Sequence, residues 1–334
     1  MIKKVFVGIA VSSVFIWLAL KGVDLKEVLA GLHNKRYGFL LPVGLVVILT
    51  QVVRSVRWGV ILSPIKKIDQ RTLFPITSVG FLAIIIAPMR LGEVVRPYLI
   101  SVKNSVPFGS GIATILIERT MDLLMLLVFF FVILSRFPLP HWVTKGGWTL
   151  LAIILFELLF IILFMVFPVR IKKIIYPVTK RLPIKIAKRF ETFIENIAKG
   201  FRIISSVKKF GEILFLSFVV WFLSVWTVYL IFSFSNMRLG ILEALTVTTI
   251  TALGISLPAG PGLIGNFQFG CMFALSLWGI GKNEAFTFAM VFYFTSVGIN
   301  IVLGLIFLPF INIPFWQMFK TKGEKKNLVI SIDH

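Results

Sequence analysis

A chain of 334 residues that is 58% hydrophobic, only 15% charged and carries 34 phenylalanines is not a soluble globular domain, which is nearer half apolar and a quarter charged. The formal net charge of +21 comes from 35 Lys and Arg against 14 Asp and Glu, but the basic residues fall mostly in loops between apolar segments. That pattern fits anionic lipid and retention on the cytoplasmic face, and excludes nucleic acid as the expected partner.

The chain begins Met1-Ile2-Lys3-Lys4 and then runs apolar over 5–20. This resembles a secretory signal, but no small-x-small cleavage site follows before Lys21, so an uncleaved first span is expected. A short polar loop with one amphipathic turn follows over 21–37. The second span is expected over 38–63, with Arg54 and Arg57 toward its inner end; Pro64, Lys66, Lys67 and Arg71 lie beyond.

The third apolar segment, 72–101, is interrupted by Pro88-Met89-Arg90-Leu91-Gly92-Glu93-Val94-Val95-Arg96-Pro97. Two prolines and a glycine break the helix where the neighbours are Ile84, Ile85, Ile86 and Ala87. Lipid cannot satisfy free backbone groups, so such a break needs protein or water around it. An arginine or carboxylate near the bilayer centre costs roughly 2.5–3.5 kcal/mol on insertion scales and survives facing a polar cavity or a partner. Residues 88–97 are therefore expected to line a buried polar cavity.

A long helix over 109–134 carries Glu118-Arg119-Thr120-Met121-Asp122. Glu118 and Asp122 share a helix face, and Arg119 is placed to pair with Asp122. A turn at Phe137-Pro138-Leu139-Pro140 leads to a fifth span over 147–167, with Glu157 near its middle. Residues 168–210 are strongly basic. In them Ile186, Phe190, Phe193, Ile197, Phe201 and Ile204 recur at steps of three and four, which predicts an amphipathic helix lying on an anionic leaflet.

A further span is expected over 213–234. The next apolar run, 239–257, meets Pro258-Ala259-Gly260-Pro261-Gly262 and resumes over 263–280. Glycines allow close backbone approach, and a helix N-terminus offers free N–H groups to an anion. Gly262, Gly265, Asn266 and Gln268 are therefore candidate ligand contacts. A last span over 285–310 precedes a basic tail with Lys320, Lys322, Lys325 and Lys326. Tryptophans such as Trp221, Trp226 and Trp278 read as packing or interfacial anchors.

The fold expected is an all-α polytopic membrane protein with six full spans plus two re-entrant helical hairpins, about eight or more membrane helices in all. Residues 1–320 form one transmembrane domain, with a basic cytoplasmic amphipathic segment at 168–210 and a basic cytoplasmic tail at 321–334. Placing both termini in the cytoplasm puts most basic loop residues inside, with 21–37 the exception. Setting Pro88 against Pro258 also sets Gly92 against Gly262. That suggests an inverted repeat, and paired broken segments in two inverted halves point to a transporter's midplane site.

The candidate substrate-binding set is Arg54, Arg57, Arg90, Glu93, Arg96, Glu118, Arg119 and Asp122, with Gly262, Gly265, Asn266 and Gln268 from the second break. Arginines partly neutralised by carboxylates suit a phosphate, because guanidinium offers a planar bidentate fork. The bland alternative is a structural salt-bridge network. Cys271 is the lone cysteine, and His33, His141 and His334 are scattered, so neither metal nor other cofactor is expected. No nucleotide-binding loop is visible, so movement would be passive or driven by an ion or lipid gradient.

Together, Arg54–Arg57-Trp58, Pro88-x-Arg90-x-Gly92-Glu93-x-x-Arg96, Glu118-Arg119-x-x-Asp122 and Pro261-Gly262-x-x-Gly265 resemble the lysylphosphatidylglycerol synthase transmembrane (flippase-like) family over nearly the whole chain. The resemblance implies Glu at the position where this chain has Gln268. The soluble aminoacyl-transfer domain of the two-part synthase is absent, so synthase activity is not implied. The resemblance implies translocation of a polar or anionic phospholipid between leaflets of the inner membrane, without enzymatic chemistry. The rival expectation is a membrane enzyme, or an accessory to one, acting on phospholipid or lipid-linked sugar with Glu93, Glu118 or Asp122 as acid–base groups. Association with a second copy or with a lipid-modifying enzyme is compatible with either reading.

Overall fold

Long apolar runs without strand-type alternation form helices. The computed structural model describes residues 2–33, 35–87, 92–137, 141–166, 184–201, 206–256 and 260–311, and among these all regular structure is helical. In chain order the helices are α1 (Ile2–Leu20), α2 (Leu25–His33), α3 (Leu40–Leu62), α4 (Gln70–Ile86), α5 (Val95–Asn104), α6 (Phe108–Arg136) and α7 (His141–Val166). They continue as α8 (Ile184–Phe201), α9 (Val207–Ser235), α10 (Ile241–Ser256), α11 (Asn266–Ser276), α12 (Lys282–Tyr293) and α13 (Ile299–Phe307).

Among the described residues, three stretches are long and apolar enough to cross a membrane: Tyr37–Leu62, Val207–Ser235 and Lys282–Phe307. Their outward faces carry exposed Leu41, Leu45, Phe215, Phe218, Val302 and Ile306, as a lipid-facing surface requires. Shorter apolar helices complete the bundle.

Local chemistry sets the helix ends. Asp69 caps α4 by accepting a hydrogen bond from the Arg71 N–H, and Ser206 caps α9 in the same way from Lys209. Both are short oxygen-bearing side chains that satisfy an otherwise orphan donor. Ser105 and Asn236 end α5 and α9 in left-handed backbone.

The two interrupted segments are real breaks. α4 stops at Ile86, the chain turns past Gly92, and α5 begins at Val95. α10 stops at Ser256, and α11 begins at Asn266. The paired lengths match closely, 17 and 10 residues in the first and 16 and 11 in the second.

Packing builds three apolar clusters. Val228, Ile231, Phe232, Val247, Cys271 and Phe288 join α9 to α12. Trp58, Leu62, Leu73, Val79, Leu99 and Ile100 join α3, α4 and α5. Ile61, Ala113, Ile117, Met121, Ile197 and Phe201 join α3, α6 and α8.

The third cluster revises one expectation. The stripe on α8 was expected on a lipid surface, but Ile197 and Phe201 are buried against α6, and Ser110 Oγ donates to the Asn196 carbonyl at 2.8 Å. A helix face that dry protein can cover gains more from that contact than from a wet headgroup layer. The 21–37 loop likewise contains a helix, α2. It is tied to the start of α12 by the Asp24 N–H donating to Asn283 Oδ1 at 2.9 Å and by an Asn283–Glu27 hydrogen bond.

Candidate functional site

Both broken segments face one cavity of about 650 Å3 at the centre of the bundle. Its walls come from α3 (Val47, Thr50, Arg54), α4 (Phe81, Ile84, Ile85), Glu93 beyond the first break, and α6 (Arg119, Asp122, Leu123, Leu126). The other half supplies Trp221, Ser224 and Thr227 from α9, Thr248 and Thr251 from α10, Leu263 and Phe267 at the second break, and Asn300 from α13. The lining is amphipathic, with charges gathered on the α3–α6 side and apolar side chains around them.

Behind that wall lies a dry ion-pair network. Arg96 forks onto Glu118, Nη1 to Oε1 at 2.9 Å and Nη2 to Oε2 at 3.0 Å. Its guanidinium also stacks over the Trp58 ring, 4.3 Å from the centroid, while Trp58 Nε1 donates to Thr114 Oγ1 at 3.1 Å. Arg57 reaches Glu118 Oε1 at 3.3 Å and Asp122 Oδ1 at 2.8 Å, and donates to Ser217 Oγ at 3.0 Å. Arg119 closes the ring, pairing with Glu118 at 3.1 Å and Asp122 at 3.4 Å. Glu118 is 0% exposed and is ion-paired with three arginines. Buried charges in this number persist only when each is paired and hydrogen-bonded.

Two glycines make room for the network. A Cβ on Gly80 would lie 2.2 Å from Arg96 Cγ. One on Gly92 would lie 2.2 Å from the Ala83 carbonyl carbon. The chain can fold back onto α4 at the break only because neither side chain exists.

The candidates therefore separate by position. Arg54, Glu93, Arg119 and Asp122 line the cavity. Arg57 and Arg96, each 1% exposed, stand behind it, both paired with the buried Glu118. Arg54 differs from the other arginines: its guanidinium lies over the Phe81 ring at 4.8 Å, and it forms no ion pair with any described residue. Arg90 and the side chain of Glu157 lie outside the described residues.

The second break uses its candidates locally. Gly262 and Gly265 adopt φ of +80° and +88°, the left-handed region that glycine enters at no steric cost. Gln268 Oε1 accepts from the Gly265 N–H at 2.8 Å, satisfying a first-turn donor of α11. Asn266 Nδ2 donates to the Gly254 carbonyl at 3.2 Å. Ser12 on α1 accepts from the Gly260 N–H at 2.6 Å and donates to Asn266 Oδ1 at 3.5 Å. Tyr293 Oη donates to the Gly262 carbonyl at 2.7 Å. Gly262, Gly265, Asn266 and Gln268 thus shape the loop, while their neighbours Leu263 and Phe267 reach the cavity.

Two site residues were not expected. Trp221, read from sequence as a packing or interfacial residue, lines the cavity and donates from Nε1 to Asp122 Oδ1 at 3.2 Å. Asn300 sits just past a π-helical turn at Phe294–Gly298 that joins α12 to α13. Its Nδ2 donates to the Ser296 carbonyl at 2.7 Å, while its Oδ1 is buried with no partner among the described residues. A lone carboxamide in an apolar last span was the available signal, since such a group is costly in lipid unless it faces a cavity.

The family model for the lysylphosphatidylglycerol synthase transmembrane region matches residues 5–304. The chain belongs to this family. Within the family it is similar to a UPF0104 membrane protein of Methanocaldococcus jannaschii, 25% identical over 224 residues, which is 66% of this chain and 90% of the relative. No solved structure gives a significant match. The matched span contains every charged residue of the cavity and of the network behind it.

Proposed function

We propose that this member of the family moves a polar or anionic lipid between leaflets, its headgroup passing through the central cavity while its acyl chains stay in the bilayer. Arg54 and Arg119 hold the phosphate. Arg57, Arg96 and Glu118 support the site from behind and fix the position of Arg119 and Asp122. On this reading Arg54 and Arg119, of the candidate arginines, touch the phosphate, and Arg96 positions the site from behind.

One observation carries the reading. Arginine is always charged, and Arg54 faces the cavity without an ion-pair partner among the described residues. Among the described residues of the cluster, Arg54, Arg57, Arg96 and Arg119 stand against Glu93, Glu118 and Asp122. A site at membrane depth with one positive charge in excess calls for a mobile anion. A phosphate supplies it and matches the guanidinium fork. Glu93 and Asp122 share the same cavity and compete with phosphate for the arginines, which permits release. Arg90 belongs to the same expected site.

The two broken segments are read as hairpins that each enter and leave on one side, within a single domain whose termini face the cytoplasm. An enzymatic role would need a carboxylate free to exchange a proton. Glu118 is held by three arginines, and Asp122 by two arginines and Trp221, which argues against acid–base chemistry at these two carboxylates.

The test is reconstitution of purified protein in liposomes carrying headgroup-labelled anionic lipid. Wild-type protein exchanges label between leaflets, and Arg54→Ala loses at least 10-fold in rate while unfolding at the wild-type temperature. Equal exchange by the two proteins overturns the assignment.

A further inference from the structure

The strongest unexplained feature is a polar seam between α3 and α4. Gln51 is 1% exposed, yet neither its Nε2 nor its Oε1 has a partner among the described residues. Thr77, fully buried on α4, has an unpartnered Oγ1 as well. A buried polar group left unsatisfied is costly, and a carboxamide with both ends unsatisfied in a bundle core needs a reason.

Helical spacing places the two together. On α3 the row 51, 55, 59 faces α4, because Ser55 Oγ donates to Gln70 Oε1 at 2.8 Å and Gly59 packs on Gln70 and Leu73. On α4 the row 70, 73, 77, 81 faces α3, because Gln70 and Leu73 make those contacts and Phe81 lies under Arg54. Residues one turn apart on a helix share a face, so Gln51 and Thr77 lie on the facing rows. The inner end of the seam meets Thr50 and Arg54 in the cavity wall. Its outer end, Gln70, is half-exposed beside the capping residue Asp69 in the turn that joins the helices.

We infer that the α3–α4 seam is the passage by which the headgroup moves between the cavity and the membrane face bearing the turn at 63–69, closed in this structure and hydrated when the helices part. The inference rests on the transport reading above. Uncharged carboxamides and hydroxyls suit a path rather than a binding site: they replace water along the way without holding the phosphate. Their unsatisfied atoms also make the closed state easy to open, since parting the helices returns them to water.

The test has two arms in proteoliposomes, using variants that elute as wild type. In the first, Gln51→Cys and Thr77→Cys are exposed, one at a time, to a charged membrane-impermeant methanethiosulfonate on the face bearing the 63–69 turn. Both cysteines react at least 10-fold faster than the native thiol of Cys271, which is fully buried in the core. In the second, Ser55→Cys/Gln70→Cys is bridged by a short bis-methanethiosulfonate. Bridging lowers exchange of headgroup-labelled lipid at least 10-fold, and dithiothreitol restores it. Inert cysteines, or undiminished exchange in the bridged protein, overturn the seam while leaving transport standing. Reactive cysteines in the variants, together with wild-type protein that exchanges no lipid, overturn the transport reading and leave the hydrated seam.

Discussion

Arg96 and Glu118 meet through both pairs of polar atoms, at 2.9 and 3.0 Å, with neither side chain reaching the cavity. The pair joins the helix that follows the first break to the long helix α6, and so holds the break in register. Removing one partner from a buried pair strands the other charge, at a cost of about 3–5 kcal/mol. Arg96→Ala and Glu118→Ala should each lower the thermal midpoint in detergent sharply. The double variant should lose clearly less than the sum of the two, as a double-mutant cycle will show.

Arg54 should behave in the opposite way. It has no ion pair to lose, so Arg54→Ala should leave the unfolding midpoint nearly unchanged while transport falls at least 10-fold. Arg54→Lys keeps the charge but not the fork. It should recover part of the rate, and the recovered fraction measures how far geometry matters beyond charge.

Gly92→Ala should destabilise by about 1–3 kcal/mol, the usual range for overpacking. The obstacle is the Ala83 backbone of α4, which cannot swing aside as a side chain could. Thermal unfolding checks this directly. Gly80→Ala meets the Arg96 side chain instead, so combining it with Arg96→Ala should relieve much of its own cost.

Trp221→Phe keeps an aromatic ring beside Phe129, 6.1 Å away in an edge-on contact, and removes the hydrogen bond to Asp122 together with part of the indole's bulk. A hydrogen bond to a charged group contributes about 1.5–3 kcal/mol. The substitution should shift stability within that range. It should also alter transport by freeing Asp122 to compete harder for Arg119, read as a changed rate in the liposome assay.

Much of the site could be read from the residues alone, because charge at membrane depth is costly enough to be conspicuous. Arg54, Glu93, Arg119 and Asp122 all reach the cavity, and the break at 88–97 does interrupt the helix. Sequence could not show which arginine is spoken for. Arg54 and Arg57 are one turn apart on α3, yet Arg57 turns toward α6 and α9 and finds two carboxylates, while Arg54 turns toward Phe81. That difference belongs to the packing of four helices, which no local pattern encodes. The second break was read as a candidate ligand loop because glycines allow close backbone approach, a helix N-terminus offers free N–H groups and carboxamides can hydrogen-bond a ligand. They also build turns, and here Gln268 and Asn266 bond to their own loop and to α10. The helical stripe at 184–201 was legible as amphipathic, but periodicity does not say whether lipid or protein covers it.

Ser12 carries a last implication. The hydroxyl that receives the Gly260 N–H and reaches Asn266 belongs to α1, and its partners lie more than two hundred residues later in the chain. Synthesis proceeds from the N-terminus, so α1 stays incompletely packed until the second break has been made. A ribosome stalled before residue 260 would therefore leave α1 still unmoored.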